Sequence, residues 1–505
     1  EPMVGCPSCL PAFLLALSIP YTAAQAYRQY ALNPVLQRIS PGPTRGFSGL
    51  FSRKYRPDLR LHAEVSGGTA PKPKPAGSIT LEQIKARLAA QQAAAEAKRL
   101  EEQKALEESY KGSLAALRKL QNAPPPSEEL KTPVSLPADD DEAMILSVAQ
   151  QDRPAIIDRT DWDIVQVSGK NRVEFLNGLS TNDIGTLSNS GQFADTVFTT
   201  RTGRVIDLAT AISTPDSILL LVSPGTAAEL CPMLRKFIFA QDVKVTDLSV
   251  YLSTFTLINA SKHPSNQLLE GLGFDPAASP ETSSSSPARL WVPKTSKITS
   301  TSTRFSGAIQ IPETGLGLPG ETLLIPVSYA CGLWKEAEEN QQNLVQLGGV
   351  GWKRLRIWQG RPALGSELND KINPLEAQLW HCLNFEKGCY VGQETIARLK
   401  TYQGVKQLLW LMEFNSPDSI DSINANELPF QVKIGDEKVG SITSVEALQG
   451  KMRAIGYFRT RSPAGKFVDG SEVKIAGSQT GILLKPALAL EGTPAWFEPE
   501  NAEEP

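Results

Sequence analysis

Histidine is nearly missing from this chain. Its 505 residues include three, His62, His263 and His381, set far apart. There is no H-E-x-x-H pair and no His-rich tract, so no metal-ligating set is legible and imidazole acid–base chemistry has little to draw on. His381, beside Trp380, reads as a packing residue. Cysteine is also scarce: six residues, scattered except for Cys6-Pro-Ser-Cys9. That pattern excludes a secreted disulfide framework, and one C-x-x-C without a partner pair reads as part of a leader rather than a zinc or redox site. Neither sign of charge is in excess. The net charge of -3 gives no broad attraction to nucleic acid. The apolar stretch Leu10–Pro20 is too short to cross a bilayer as a helix, so no transmembrane anchor is expected. No P-loop lysine motif and no G-x-S-x-G in a strand–helix setting is present. Gly315–Gly320, GLGLPG, matches G-x-G-x-x-G. Pro319 and the apolar run Leu323–Val327 nonetheless predict a hairpin leading into a strand, not the helix a dinucleotide site needs.

The length suits about three domains. Hydrophobic residues at 41% and charged residues at 21% are ordinary for a globular protein. Through Arg60 the only acidic residues are Glu1 and Asp58, whereas Arg28, Arg38, Arg45, Arg53, Arg56 and Arg60 stand among Ser, Gly and Pro. This predicts an organelle transit peptide over 1–70. The alternative is a signal-peptide apolar region within a two-part leader. A linker and helical extension over 71–142 follow. Pro71–Gly77 is a stiff linker, and Thr80–Asn122 is a helical pattern with a Thr80/Gln83 capping box, ended by Pro124–Pro126. Its Ala- and Gln-rich middle reads as a solvated, partly ordered extension, with a coiled-coil or partner-docking helix as the alternative. The acidic run Asp139–Glu142 reads as a solvated linker.

From Ala143 the signals are globular. DWDIVQVSG predicts a strand and NRVEFLNGLSTNDI a helix start. Two strands flank the turn Arg201-Thr202-Gly203, and covering helices alternate with further strands through Gly349. That mixture predicts an α+β region over 143–400, with a flexible Ser/Thr/Pro-rich insertion at 279–302. Asn259-Ala-Ser261 is a formal glycosylation sequon, which an intracellular leader argues against using. After Leu399, short strands at regular spacing predict a small β-barrel or sandwich over 401–490, before a tail at 491–505.

At the junction of these two regions stands KGCYVGQE, Lys387–Glu394. A thiolate is a nucleophile and metal ligand, and neighbouring cations or N–H groups favour it. Lys387 lies two residues from Cys389 with Arg398 beyond, and Gly388 and Gly392 let backbone approach a ligand. Gln393 and Glu394 add a donor, acceptors and a carboxylate. The chemistry alone leaves open a buried, inert cysteine in a turn.

KGCYVGQE resembles the signature of the folate-binding YgfZ-type iron–sulfur cluster proteins, relatives of the aminomethyltransferase (T-protein) of the glycine cleavage system. The resemblance extends through LRIWQGRPALGSELNDKINPLEAQLW, FLNGLSTNDI, TRTGRVIDLA and EKVGSITS. It covers roughly Ala143–Leu490 and looks most like the plastid branch. It implies a T-protein-like fold of two α/β domains and a C-terminal β-barrel around a channel that holds tetrahydrofolate. It also implies a role in assembly or repair of iron–sulfur clusters, particularly [4Fe–4S] enzymes, in the chloroplast stroma, with the mitochondrial matrix as alternative. The implied partners are folate and iron–sulfur assembly factors or client [4Fe–4S] proteins. Cys389 would be the functional thiol, aided by Lys387. Asp207 lies where the T-protein carries its catalytic aspartate, with Leu208 where that enzyme has a second Asp. Asp207, Glu367 and Glu394 are candidate pterin carboxylates, Arg361 and Arg398 candidate contacts to the glutamate tail, and Tyr390, Gly392 and Gln393 further folate contacts. The alternatives are a folate-dependent aminomethyl- or methyltransferase, and a scaffold that docks a partner through the helical extension.

Overall fold

The structure is a computed structural model. It describes residues 81–484 apart from 126–131, 259–263, 278–287, 295–306, 341–342, 415–427, 435, 462–464, 466, 468 and 476–478. The leader, the Cys6/Cys9 pair, the Pro71–Gly77 linker, His62, His263, the Asn259 sequon and the tail lie outside the described residues. Among the described residues no helix is long and apolar enough to cross a membrane.

The described residues begin with helix α1 (Leu81–Leu120), followed by α2 (Glu142–Ala149) and strand β1 (Ala155–Asp158). Every described side chain of α1 from Ala86 to Ala105 is exposed. Its last turns differ: Tyr110, Leu114 and Leu117, at helical spacing, are buried. They join a core with Ile156, Phe255, Leu323 and Trp334. The expectation of a solvated extension therefore fails for this end of the helix. Asp139 also departs from expectation. It is fully buried, where its carboxylate accepts from Leu136 N and Gly348 N at 2.8 Å each.

A five-stranded antiparallel sheet comes next: β2 (Asp163–Ser168), β3 (Phe193–Thr199), β4 (Val205–Ser213), β5 (Ser217–Val222) and β6 (Lys244–Asp247), in the order β3-β4-β5-β2-β6. Helices α3 (Arg172–Asn177) and α4 (Ala227–Lys236) contribute Phe175, Leu176, Leu230 and Leu234 to its core. The run SILLLV of β5 is buried throughout, as a strand covered on both faces must be.

The larger sheet joins β1 to β7 (Leu252–Ile258), β8 (Phe274–Pro276), β9 (Arg289–Pro293), β10 (Ala308–Ile311), β11 (Gly320–Pro326) and β12 (Val345–Leu347). Its order is β12-β1-β7-β11-β10-β9-β8, antiparallel except for β1 with β12. Helices α5 (Pro264–Gly271), α6 (Ala330–Asn340) and α7 (Gly349–Gln359) complete this region. GLGLPG leads directly into β11, as the hairpin reading requires. Strand β9 falls inside the stretch expected to be a flexible insertion, with Trp291 only 2% exposed. Its apolar centre Leu290-Trp291-Val292 outweighs the Ser/Thr-rich surroundings.

After α8 (Gln393–Thr401), six antiparallel strands follow: β13 (Gln407–Phe414), β14 (Phe430–Ile434), β15 (Glu437–Leu448), β16 (Lys451–Arg459), β17 (Glu472–Ile475) and β18 (Gln479–Leu484). Their order is β14-β15-β16-β13-β18-β17, and the end strands β14 and β17 approach each other, so the sheet curls into a half-open barrel. A central apolar cluster joins Val197 and Leu208 of the five-stranded sheet, Leu368 and Leu379 of the connecting segment, and Leu409 and Ile455 of the barrel. The five-stranded sheet and the barrel thus meet on the segment between α7 and α8.

Candidate functional site

A cavity of about 360 Å³ opens between the five-stranded sheet, α7 and the loop that follows α7. Its walls include Trp162, Leu208, Ser223, Trp352 and Arg361. The two indoles meet edge to face with centroids 5.8 Å apart. The Arg159 guanidinium lies 3.8 Å from the Trp162 ring centre and 3.7 Å from that of Trp352, a double cation–π contact. A narrow pocket shares Trp162, Leu208 and Arg361 with the cavity and adds Arg159, Asp195 and Thr210. Arg361 donates from Nη1 to Gly315 O at 2.6 Å. Burial pulls the pKa of both arginines down. The walls therefore combine flat aromatic surface with desolvated cationic groups, which suits a planar, anionic ligand.

The strand period decides which neighbour on β4 faces the cavity. Leu208 lines it, and Asp207, adjacent in the strand, does not. Asp207 is fully buried, and its carboxylate accepts from Ser223 N at 2.8 Å and Ser223 Oγ at 2.7 Å. Burial pushes this carboxyl up to about 6, against the opposing pull of the Ser223 hydrogen bonds. The stability that its protonation lends is full below the unfolded value of 3.8 and is lost as pH rises through about 6. Between pH of about 4.5 and 7.5 that loss is about 2 kcal/mol. Asp207→Asn, which cannot titrate, should lose about 2 kcal/mol less than the parent protein over this range. Thermal unfolding at both pH values tests this; parallel pH profiles would assign the titration elsewhere.

Glu367 is tied inward and does not line the cavity. Its carboxylate accepts from Arg356 Nη1 at 2.8 Å, Ala363 N at 3.0 Å, Thr443 Oγ1 at 2.7 Å and Ser444 Oγ at 2.6 Å. Glu394 and Arg398 form an exposed i,i+4 pair at 2.9 Å on α8, away from the cavity walls. Surface pairs of this kind contribute little.

The Cys389 loop lies on the surface, and Cys389 is exposed. Hydrogen bonds from Lys387, Asn384 and Val391 strap the loop to the five-stranded domain. Lys387 Nζ donates to the carbonyls of Asn177, Ser180 and Asn182 at 2.7, 2.8 and 2.6 Å, just past the C-terminus of α3. Asn384 N donates to Thr181 O at 3.0 Å, and Val391 N donates to Gly178 O at 3.2 Å. Lys387 was expected to place its charge by the sulfur; instead its three protons go to these carbonyls. Burial lowers its pKa to about 8, with Asp183 opposing. Gly392 serves the protein's own packing rather than an approach to a ligand. At φ 86°, a Cβ there would stand 2.6 Å from Thr199 Oγ1 and from Thr200 O. At Gly388 an added Cβ would meet nothing within 4 Å. Tyr390 sits in the barrel core with its buried hydroxyl lacking a hydrogen-bond partner, and burial raises its pKa to about 12. Gln393 Oε1 accepts from Tyr390 N at 3.4 Å. Of the expected ligand contacts, Arg361 alone lines the cavity itself.

A second grouping has no signal in the residue spacing. Asp195 on β3 meets His381 and Cys382 of the short 3-10 helix Trp380–Cys382. Burial raises the cost of charge on Asp195, yet His381, Arg361 and Thr210 outweigh it and hold its pKa below the usual carboxylate value. His381 is thus not merely a packing residue.

No family model matches the chain. The Arabidopsis thaliana protein named "Putative transferase At1g60990, chloroplastic" is 32% identical over 343 residues, 67% of this chain and 72% of that protein. The chain belongs to the T-protein-like transferase family. An aminomethyltransferase of Thermoanaerobacter pseudethanolicus shares 23% identity over 352 residues, 68% of this T-protein-like chain and 86% of its own length. The crystal structure of the glycine cleavage system aminomethyltransferase T from Bartonella henselae matches 75% of this chain and 97% of its own, with a TM-score of 0.56 at 16% identity. That likeness bears out the expected fold.

Proposed function

We propose that this T-protein-like chain binds tetrahydrofolate in the central cavity and supports assembly or repair of iron–sulfur clusters, particularly in [4Fe–4S] enzymes, through the Cys389 thiol. The observation that carries the folate reading is the cavity itself, with Trp162 and Trp352 as flat walls and Arg361 as a buried cation. When bound, tetrahydrofolate supplies a reduced ring that can carry a one-carbon unit, here as cofactor or regulator rather than a consumed donor. The indoles hold the ring system, Arg361 meets a carboxylate, and Ser223 positions the wall in front of Asp207. Cys389 supports the second half of the reading because it is exposed on a strapped loop, where a thiol can meet a cluster, a persulfide or a partner protein. The clients are [4Fe–4S] proteins or their assembly factors.

Aminomethyl transfer has weaker support, because β4 turns Leu208, not a carboxylate, to the cavity. The chloroplastic relative and the Arg- and Ser-rich leader support import into a plastid. A fluorescent fusion of residues Glu1–Gly77 should enter plastids; entry only into mitochondria would overturn that assignment.

Calorimetric titration of tetrahydrofolate tests the cavity. Arg361→Ala should weaken binding at least about tenfold, the scale of one lost charge-assisted contact. Cys389→Ser should leave affinity unchanged, yet lower [4Fe–4S] enzyme activity in cells that depend on the protein. No heat with the parent chain would reject the folate site, and full enzyme activity with Cys389→Ser would reject the thiol.

A further inference from the structure

Three side chains of different donor type converge beside the cavity, and neither the folate site nor the Cys389 loop uses them. Asp195, His381 and Cys382 place one oxygen, one nitrogen and one sulfur within 4.8 Å of one another. Their arrangement is fixed from behind. Asn182 Nδ2 donates to Asp195 O at 2.7 Å and to His381 O at 3.1 Å, and Thr181 Oγ1 donates to Cys382 O at 2.6 Å. Thr210 Oγ1 donates to Asp195 Oδ1 at 2.5 Å, which leaves Oδ2 directed at the imidazole. The outer contacts of a metal centre orient ligands in this way.

One nitrogen of the imidazole is underused. His381 Nδ1 is buried with no hydrogen-bond partner. Nε2 stands 3.8 Å from Asp195 Oδ2, a long contact through which the two groups still interact.

We propose that Asp195, His381 and Cys382 bind one divalent transition-metal cation of the zinc class. Around a tetrahedral zinc, ligand atoms lie roughly 3.3–3.6 Å apart, given metal–ligand lengths of about 2.0–2.3 Å. The 3.8 Å between His381 Nε2 and Asp195 Oδ2 needs to close by a few tenths of an ångström, and the sulfur, within 4.8 Å of both, by at most about 1.2 Å. A thiolate, an imidazole and a carboxylate suit zinc or cobalt and disfavour magnesium or calcium, which take oxygen ligands. On binding, Cys382 gives up its thiol proton and His381 ligates as the neutral ring. The two anionic ligands neutralise the ion, so Arg361 on the same pocket repels it little. Three protein ligands leave a fourth position. Asp195 lines the narrow pocket that shares Arg361 with the main cavity, so that position faces the ligand space.

The test uses the full chain carrying Cys6→Ser and Cys9→Ser, so that only the remaining cysteines can report. The protein is stripped with a chelator and titrated with Co²⁺ alone as a spectroscopic probe. One Co²⁺ per chain, a thiolate-to-cobalt charge-transfer band and the strong visible bands of tetrahedral cobalt are expected, with Zn²⁺ displacing them. Cys382→Ser should abolish the charge-transfer band, whereas Cys389→Ser should keep it. His381→Asn, a milder change, should weaken binding at least tenfold, with thermal unfolding confirming that each variant is folded. The proposal is overturned if the parent shows no band, if the band survives Cys382→Ser or depends on Cys389, or if folded His381→Asn binds Co²⁺ as tightly as the parent. The readout needs no folate, so its outcome is independent of the folate site.

Discussion

Glu367→Ala should destabilise the protein by about 3–5 kcal/mol in the absence of any ligand. The side chains of Glu367 and Arg356 are 0% and 5% exposed, and their ion pair is 2.8 Å long. Two hydroxyls of β15, from Thr443 and Ser444, and the Ala363 amide fill the remaining acceptor positions of the carboxylate. Glu367 also accepts at its own carbonyl from the Tyr457 hydroxyl of β16, at 2.9 Å. One residue therefore ties α7 and the loop after it to the barrel. Removing the carboxylate leaves Arg356 as a buried charge and the Ser444 hydroxyl without its acceptor, while Thr443 keeps the Ile455 carbonyl at 3.0 Å. Replacing both members, Arg356→Met with Glu367→Leu, should recover much of the loss, since no charge then stays unpaired. Denaturant unfolding of the single and double variants measures both effects. A single variant that unfolds at the parent midpoint would show that the network carries no stability, and would return the carboxylate to the role of a ligand contact.

Much of the fold was legible because its signals are local. The turn Arg201-Thr202-Gly203 sits between two alternating runs, and β3 and β4 pair across it. The strands after Leu399 are marked by spacing and turn residues, and the last of them, β18, spans Gln479–Leu484. The candidate site was less legible. Alternation says that Asp207 and Leu208 face opposite ways, but which of them meets the cavity depends on what packs against each face. Glu367 and Lys387 are chemically able to hold a ligand, and only their surroundings show both engaged by the protein itself. Asp195 is distant in sequence from His381 and Cys382, so no spacing could announce their meeting. The buried Asp139 is hidden in the same way, inside an acidic run whose other members face solvent or lie near it. The burial of α1 is different. Tyr110, Leu114 and Leu117 stand at i, i+4 and i+7, a pattern the Ala- and Gln-rich stretch before them obscured.

That buried end of α1 makes the extension a sharp test of where the folded domain starts. Removing residues through Ala105 should change stability by less than about 1 kcal/mol, because the described side chains it takes from α1 are exposed. Extending the cut through Asn122 should unfold the large sheet. Tyr110, Leu114 and Leu117 are each at most 1% exposed, and the loss of three such side chains costs about 5–9 kcal/mol at about 1.5–3 kcal/mol each. The same cut removes Arg118 and Gln121, whose side chains donate to Asp158 Oδ2 at 2.5 and 2.8 Å. Asp158 is 1% exposed at the end of β1, and stripped of its cation it adds about 3–5 kcal/mol. The sum rivals the whole stability of a typical domain, about 5–15 kcal/mol. Arg118→Ala alone should reproduce the ionic part. Deleting the entire helix therefore cannot separate partner docking through the extension from folding; only the cut at Ala105 can. A soluble, cooperatively unfolding protein lacking Tyr110–Gln121 would refute this placement and make the helix an appendage.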